Sequence, residues 1–281
     1  MKNSKIILIN KKRGISSHKL IKEVQKKYNF DKIGHAGTLD PMAEGLLIAM
    51  SNNATKLSDM LMKKDKVYFV KMELGYETDT LDADGKIIKK MDVDVDMAKV
   101  ENIILSFIGK ISQKPPIYSA IKVNGRKLYD FARKNEEIEI KEREVEIYNI
   151  SDIELDGNFV SFRAFVSSGT YIRSLVRDIA YKLGTCATMV YLMREKISDF
   201  VVPCDIQVYD IPELMKLDCI HLNSNEQVKK LLNGITIDMK CTDNKMYHCY
   251  YNSEYLGIID ALNNKIKKSK FFVKREKYEK N

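Results

Sequence analysis

Few backbones can accommodate the stretch Gly34-His35-Ala36-Gly37-Thr38-Leu39-Asp40-Pro41-Met42-Ala43-Glu44-Gly45-Leu46-Leu47. Its glycines at 34, 37 and 45 allow positive φ or a close backbone approach, which a regular helix or strand does not need. Pro41 steers Asp40 into an extended conformation, and its missing N–H suits the first position of a short helix. The carboxylate of Asp40 is thus presented from a constrained turn. An Asp-Pro pair alone reads as a helix N-cap. That reading leaves over the Gly-His-x-Gly-Thr run and the imidazole of His35, five residues before the acid. Glycine-hinged loops that carry an acid and an aromatic base often form sites.

The 281 residues can hold one large core or a main domain with a small appendage. A hydrophobic share of 44% beside 31% charged residues is that of a globular chain, and the net charge of +8 favours an anionic partner such as nucleic acid. The cysteines at 186, 204, 219, 241 and 249 form no Cys-x-x-Cys pair and follow no signal peptide, so a reducing, cytoplasmic setting is expected. Cys219, His221, Cys241, His248 and Cys249 fit no standard zinc spacing and are expected to be unligated. No apolar run approaches the roughly 18 residues of a membrane span.

Periodicity predicts a strand at 6–9, then a helix capped by Ser16 or Ser17 with Leu20, Ile21, Val24 and Tyr28 on one face. Residues 46–50 read as a strand and 54–62 as a short helix bearing Lys56. Residues 67–74 alternate, placing Tyr68 with Val70, Met72 and Leu74; a core tyrosine accounts for that equally well. In the loop at 76–85, Asp82, Asp84 and Gly85 match part of an EF-hand, but the first and twelfth positions would be Thr80 and Met91, so calcium is not expected. Asp82 can equally serve as a turn cap. Asp96 caps a helix with Met97, Val100, Ile103, Ile104 and Phe107 on one face, ended by Gly109.

Asn124-Gly125 signals a hairpin, and Lys122, Arg126 and Lys127, interleaved with Tyr118 and Tyr129, suit contacts with backbone phosphate and stacked bases. Residues 145–155 and 159–167 read as paired strands. A helix follows with Ile172, Leu175, Val176, Ile179, Ala180 and Leu183 inside and Gly184 as its stop; Tyr171 and Arg173 fall in its first turn. An arginine there opposes the helix dipole unless a carboxylate or phosphate lies nearby. The pattern weakens from 209 to 227, which puts a boundary near 220, and the basic stretch at 265–280 reads as a tail.

These residues offer one aimed acid, a tyrosine, an arginine and a histidine. No second carboxylate, Ser-His-Asp order or phosphate loop supports a classical hydrolase. A guanidinium beside Asp40 would favour the carboxylate anion, the form that acts as a nucleophile on a glycosidic carbon or a pyrimidine ring.

Four segments in order resemble the TruB family of tRNA pseudouridine synthases: residues 34–47, Lys66-Val67-Tyr68 with the loop at 78–85, Pro115-Pro116-Ile117-Tyr118-Ser119-Ala120-Ile121-Lys122, and Ser168-Gly169-Thr170-Tyr171-Ile172-Arg173-Ser174. The chain departs at Lys11-Lys12-Arg13-Gly14, where the family has Lys-Pro-x-Gly, and at Met193, within a Leu-Arg-Arg motif. The resemblance implies an α+β pseudouridine-synthase fold, with a mixed, mostly antiparallel sheet flanked by helices. It divides the chain into a catalytic domain over 1–220, carrying an RNA-clasping insertion at about 113–143, and a small β-rich PUA-like domain over 221–281.

It implies that uridine at tRNA position 55, in the T-loop, is isomerised without cofactor or metal. Asp40 would be the nucleophile or base, Tyr68 would pack on the flipped base and Arg173 would anchor Asp40. Tyr171 and Leu192 would line the pocket, Asp82 would border it, and His35 would hold the opened T-loop by stacking. Lys56, Lys122, Arg126 and Lys127 would meet the RNA backbone of the T-arm. A monomer is expected. The alternative is an RNA-binding protein that folds tRNA and whose catalysis is secondary.

Overall fold

The computed structural model describes residues 4–279 apart from 120, 124, 135 and 137. Chain order begins with β1 (Lys5–Lys11), α1 (Ser17–Lys27), β2 (Ile33–His35) and β3 (Glu44–Ser51), then a 3-10 turn at Asn52–Leu57 leading into α2 (Ser58–Met62). β4 (Lys66–Leu74) is followed by the hairpin β5 (Tyr76–Thr78) and β6 (Ile87–Lys90), α3 (Met97–Leu105) and β7 (Gly109–Gln113). A second hairpin, β8 (Lys122–Val123) and β9 (Arg126–Lys127), leads into α4 (Leu128–Arg133), β10 (Arg143–Asp156) and β11 (Phe159–Val166). Then come α5 (Ile172–Leu183), β12 (Ala187–Ile197), β13 (Phe200–Val201), β14 (Gln207–Asp210) and α6 (Ile211–Leu214). The C-terminal part holds β15 (Asp218–Leu222), α7 (Asn225–Leu232), β16 (Ile237–Asp238), β17 (Lys245–Tyr251), β18 (Glu254–Leu262), β19 (Lys265–Phe271) and α8 (Glu276–Glu279).

The main sheet runs β14-β1-β3-β12-β4-β11-β10-β7, with β2 on β3 and β13 on β12. Every pairing along it is antiparallel except β3 with β12. The α+β expectation and the mixed, mostly antiparallel sheet are borne out. β4 alternates without a break, with Lys66, Tyr68, Val70, Met72 and Leu74 buried. Tyr68, Val70, Met72 and Leu74 meet the inner face of α5, where Ile172, Leu175, Val176, Ile179, Ala180 and Leu183 are all buried. Each buried Val, Leu, Ile or Met among them contributes about 1.5–3 kcal/mol. Gly184 (φ +86) ends α5 in the left-handed conformation. Ser16 caps α1 by accepting from Lys19 N, and Asp96 caps α3 by accepting from Lys99 N.

Some expectations shift locally. The segment at 52–62 starts as a 3-10 turn, Met97 is exposed, and α3 stops at Leu105 before Gly109. The stretch at 265–280 is no loose tail in its first half, because β19 is hydrogen bonded between β16 and β18 with Ile266 and Phe271 buried. The second sheet, ordered β15-β17-β18-β19-β16, begins at Asp218, slightly before residue 220. It packs on the main sheet: Ile258 and Phe272 share a core with Ile6, Leu8, Leu46, Ile48 and Met50. Asn53 Nδ2 and Lys56 Nζ donate to the carbonyls of Phe272 and Phe271, both at 2.7 Å, and tie the two sheets together. No helix among the described residues is long and apolar enough to cross a membrane.

Candidate active site

Asp40 stands on the loop between β2 and β3. The hydroxyl of Ser17, buried at the start of α1, accepts from Leu39 N (2.9 Å) and donates to Leu39 O (2.8 Å), clamping the residue before the acid. Ala43 N donates to Asp40 O (3.1 Å), and Gly14 N donates to Pro41 O (2.8 Å). The carboxylate therefore projects from a loop whose backbone is fixed on both sides.

Arg173, on the first turn of α5, reaches the same place. Its Nη2 lies 2.9 Å from Asp40 Oδ2 and its Nη1 lies 3.4 Å from Asp82 Oδ2. The guanidinium also donates to Thr80 O and Tyr118 O, both at 2.9 Å. Two carboxylates and two carbonyls thus offset the unfavourable placement of a cation at a helix N-terminus. The segment before the basic hairpin satisfies that end of the helix too, as Gln113 Oε1 accepts from Tyr171 N (2.8 Å) and Lys114 O accepts from Ser174 Oγ (2.8 Å).

Asp40, Tyr68, Tyr171, Arg173 and Leu192 line one cavity of about 430 Å³, with Lys66 and Arg194 also in its wall. Asp40 is partly exposed at this opening, whereas Arg173 and Asp82 are only 7% exposed at their side chains. Asp82 sits behind the arginine. Burial raises its pKa, opposed by the Thr80 hydroxyl and the Arg173 charge, while Asp40 pushes it the same way as burial. Burial likewise raises Tyr171 and keeps it a neutral phenol. Lys66 is pushed down to about 8 by burial and by Arg194, against the pull of Asp65.

The other expected residues lie elsewhere. His35, at the end of β2, is half-buried and outside the wall of this cavity. Burial, Arg194 and His18 all lower its pKa, so the ring is neutral at pH 7, and its Nδ1 has no partner among the described residues. Lys56 lines a separate groove of about 640 Å³ with Lys268, Lys270 and Arg275, where the sheets meet. Its pKa is lowered by burial first and then by Lys268, Lys270 and Lys32. Arg126 is ion-paired with Glu136 (2.9 Å) and covers the Phe131 ring. Lys122 and Lys127 face each other in register across the β8–β9 hairpin; their side chains lie outside the described ones.

The sequence pattern did not single out Lys11, Lys66 or Arg194 as site residues. Each is a cation with at most 7% exposure around this loop and cavity. Their only sequence signals are their places in Lys-x-x-Gly, Lys-x-Tyr and Leu-x-Arg.

Comparison with known proteins fits this geometry. Residues 25–172 match the model of the TruB family pseudouridylate synthase N-terminal domain. A tRNA pseudouridine synthase B of Mycoplasma mobile is 40% identical over 275 residues, covering 96% of this chain and 95% of that one. The chain belongs to the TruB family of pseudouridylate synthases. It is an isomerase of that family. The tRNA pseudouridine synthase B of Fusobacterium nucleatum is 37% identical, covering 94% of this chain and 97% of its own. Among solved structures, a Cbf5-Nop10-Gar1 complex aligns with TM-score 0.69 and 22% identity over 98% of this chain and 86% of that chain. An archaeal box H/ACA Nop10-Cbf5 complex aligns at 0.66 and 21%, covering 98% of this chain and 88% of its own. The fold, with its sheet-rich, PUA-like C-terminal part, is therefore shared over nearly the whole of this chain.

Proposed function

We propose that this TruB-family isomerase acts on tRNA and converts the T-loop uridine at position 55 to pseudouridine, with Asp40 as the reacting carboxylate. One observation carries the reading: Asp40 and Arg173, distant in sequence, meet at 2.9 Å in a cavity that also presents Tyr68. In this reaction the bond from C1′ to N1 of uracil breaks and one from C1′ to C5 forms. C5 gives up its hydrogen to solvent and N1 takes one up, so atoms and electrons balance without a cofactor.

The residues divide the work. Arg173 fixes the orientation of Asp40 through its Nη2, and Asp82 with the carbonyls of Thr80 and Tyr118 fixes Arg173 in turn. Tyr68, Tyr171 and Leu192 present ring and aliphatic surface to a uracil turned out of its stack. His35, neutral and half-buried at the end of β2 where that loop begins, would stack where the flipped base left a gap. Such stacking is worth about 1–3 kcal/mol, comparable to the few kcal/mol that flipping costs. Lys56, in the cationic groove between the sheets, and the β8–β9 hairpin would meet the RNA backbone on either side.

The test is Asp40→Asn, assayed by tritium release from tRNA labelled at uracil C5 and by direct tRNA binding. Turnover should vanish while affinity stays within about tenfold, because the acid serves chemistry rather than binding. Retained tritium release would overturn the reading.

A further inference from the structure

The helix that carries Arg173 starts without a cap of its own. Its N-cap position is Tyr171, whose side chain makes no capping hydrogen bond, and no acid stands in its first turn. A capping box places a Glu or Gln at the third helical position, reaching back to the N-cap N–H. That position in α5 is Ser174, which has no exposed surface and turns the other way, donating to Lys114 O (2.8 Å). The box is completed from another strand. Gln113, the last residue of β7, accepts from Tyr171 N through its Oε1 (2.8 Å).

Stability is a weak explanation for that amide. Gln113 is 1% exposed, and its Nε2 has no hydrogen-bond partner among the described residues. A buried donor left unpaired is unfavourable, and the body of α5 is already held by the apolar residues it packs against β4. What the amide does control is where the first turn sits. Helix ends fray when their N–H groups lack acceptors, and Arg173, which meets Asp40 at 2.9 Å, is the second residue of the helix.

We propose that Gln113 is a positioning residue for Arg173, and that residues 113–118 act as one staple across the start of α5. This rests on the reading of Asp40 as the reacting carboxylate. Gln113 Oε1 takes Tyr171 N, Lys114 O takes Ser174 Oγ, and Tyr118 O takes Arg173 Nη2 (2.9 Å). Pro115 and Pro116, both buried, lie between these acceptors and fix φ at two positions, so the acceptors cannot shift independently. With the Gln113 acceptor gone, the first turn loosens and the guanidinium moves with it. A misplacement of about 1 Å costs on the order of a hundredfold in rate. Binding should suffer less, because the cationic groove between the sheets and the β8–β9 hairpin lie outside the staple.

The experiment is single-turnover tritium release from tRNA labelled at uracil C5, with tRNA affinity by anisotropy and urea unfolding of each variant. Gln113→Met has a similar reach and no acceptor oxygen. Its rate constant should fall about 10- to 100-fold, with full reaction amplitude and tRNA affinity within about threefold. Gln113→Glu keeps an acceptor for Tyr171 N, and Arg143 stands opposite it in register on β10, so it should bring the rate back to within about fivefold of the wild type. In an Arg173→Lys background, adding Gln113→Met should cost less than about twofold, because the group it positions is already gone. If Arg173→Lys alone is inactive, the single Gln113 variants decide. Should Gln113→Met not fold, Gln113→Asn, an amide too short to reach Tyr171 N, takes its place. A wild-type rate constant in Gln113→Met, a reduced amplitude at an unchanged rate constant, or an equal loss in Gln113→Glu would overturn the proposal. So would a full multiplicative loss on top of Arg173→Lys. None of these outcomes touches the reading of Asp40, which only Asp40→Asn tests.

Discussion

Gly45 and Gly184 both have positive φ, +103 and +86, yet they stand in unlike surroundings. A Cβ at Gly45 would lie 2.3 Å from the carbonyl oxygen of Arg194 and 2.8 Å from its nitrogen, because β3 and β12 run side by side here. At Gly184 nothing lies within 4 Å. Gly184→Ala should therefore cost about 1 kcal/mol, the strain of the left-handed conformation alone. Gly45→Ala adds a clash with backbone that cannot swing aside, and should cost about 3 kcal/mol or more. Urea unfolding of the two variants checks the difference, and equal losses would show that β3 and β12 can part without penalty. The same approach explains how Arg194 reaches Gly37 and Leu46 from β12. It also bears on the departure at Lys12, where the family has proline. Lys11 Nζ and Gly14 N tie that turn to Pro41 instead.

Elements with strong periodicity were readable in advance, and those set by charge were not. The alternation of β4 and the apolar face of α5 follow from spacing alone, because each apolar set matches one period. The meeting of Asp40 with Arg173 had a physical cue as well, since a cation on the first turn of a helix needs an anion. Lys11, Lys66 and Arg194 escaped because a charged residue on a strand reads as solvent-facing, and what satisfies them is loop carbonyl that only the folded chain assembles. β19 escaped for a related reason: its lysines mask Ile266 and Phe271, the two residues that bury it. The β8–β9 hairpin was legible from Asn124-Gly125, but its pairing of Arg126 with Glu136 was not. That pair sets up a prediction. With Arg126 meeting RNA phosphate as proposed, Glu136 would compete for it, so Glu136→Gln should free the guanidinium, remove a negative charge and tighten tRNA binding about two- to fivefold at low salt. Fluorescence anisotropy would show it; unchanged or weaker binding would mean that Arg126 contributes through its contact with Phe131.

On the scale of the whole molecule, the net charge of +8 is not spread evenly, and the place where the two sheets meet collects Lys32, Lys56, Lys268 and Lys270. Burial first, and then the repulsion of Lys268, Lys270 and Lys32, lowers the pKa of Lys56, and the carbonyls of Phe271 and Leu232 take only one proton each from Lys56 and Lys268. The groove is therefore poised to gain from a polyanion. It lies on the 3-10 turn and α2 segment whose far end, Met62, borders the cavity that holds Asp40, so an RNA seated in that cavity can run its backbone along both. Each phosphate neutralised releases condensed counterion, which steepens the salt dependence of log K by about 0.7–0.9 per contact. The Lys268→Ala, Lys270→Ala double variant should then weaken tRNA binding at low salt and reduce the slope of log K against log[salt] by about 1–2. Anisotropy titrations across a range of KCl concentrations measure this directly. A slope equal to that of the wild type would mean that the RNA leaves the protein before it reaches the second sheet, and that the catalytic cavity and the β8–β9 hairpin alone hold the substrate.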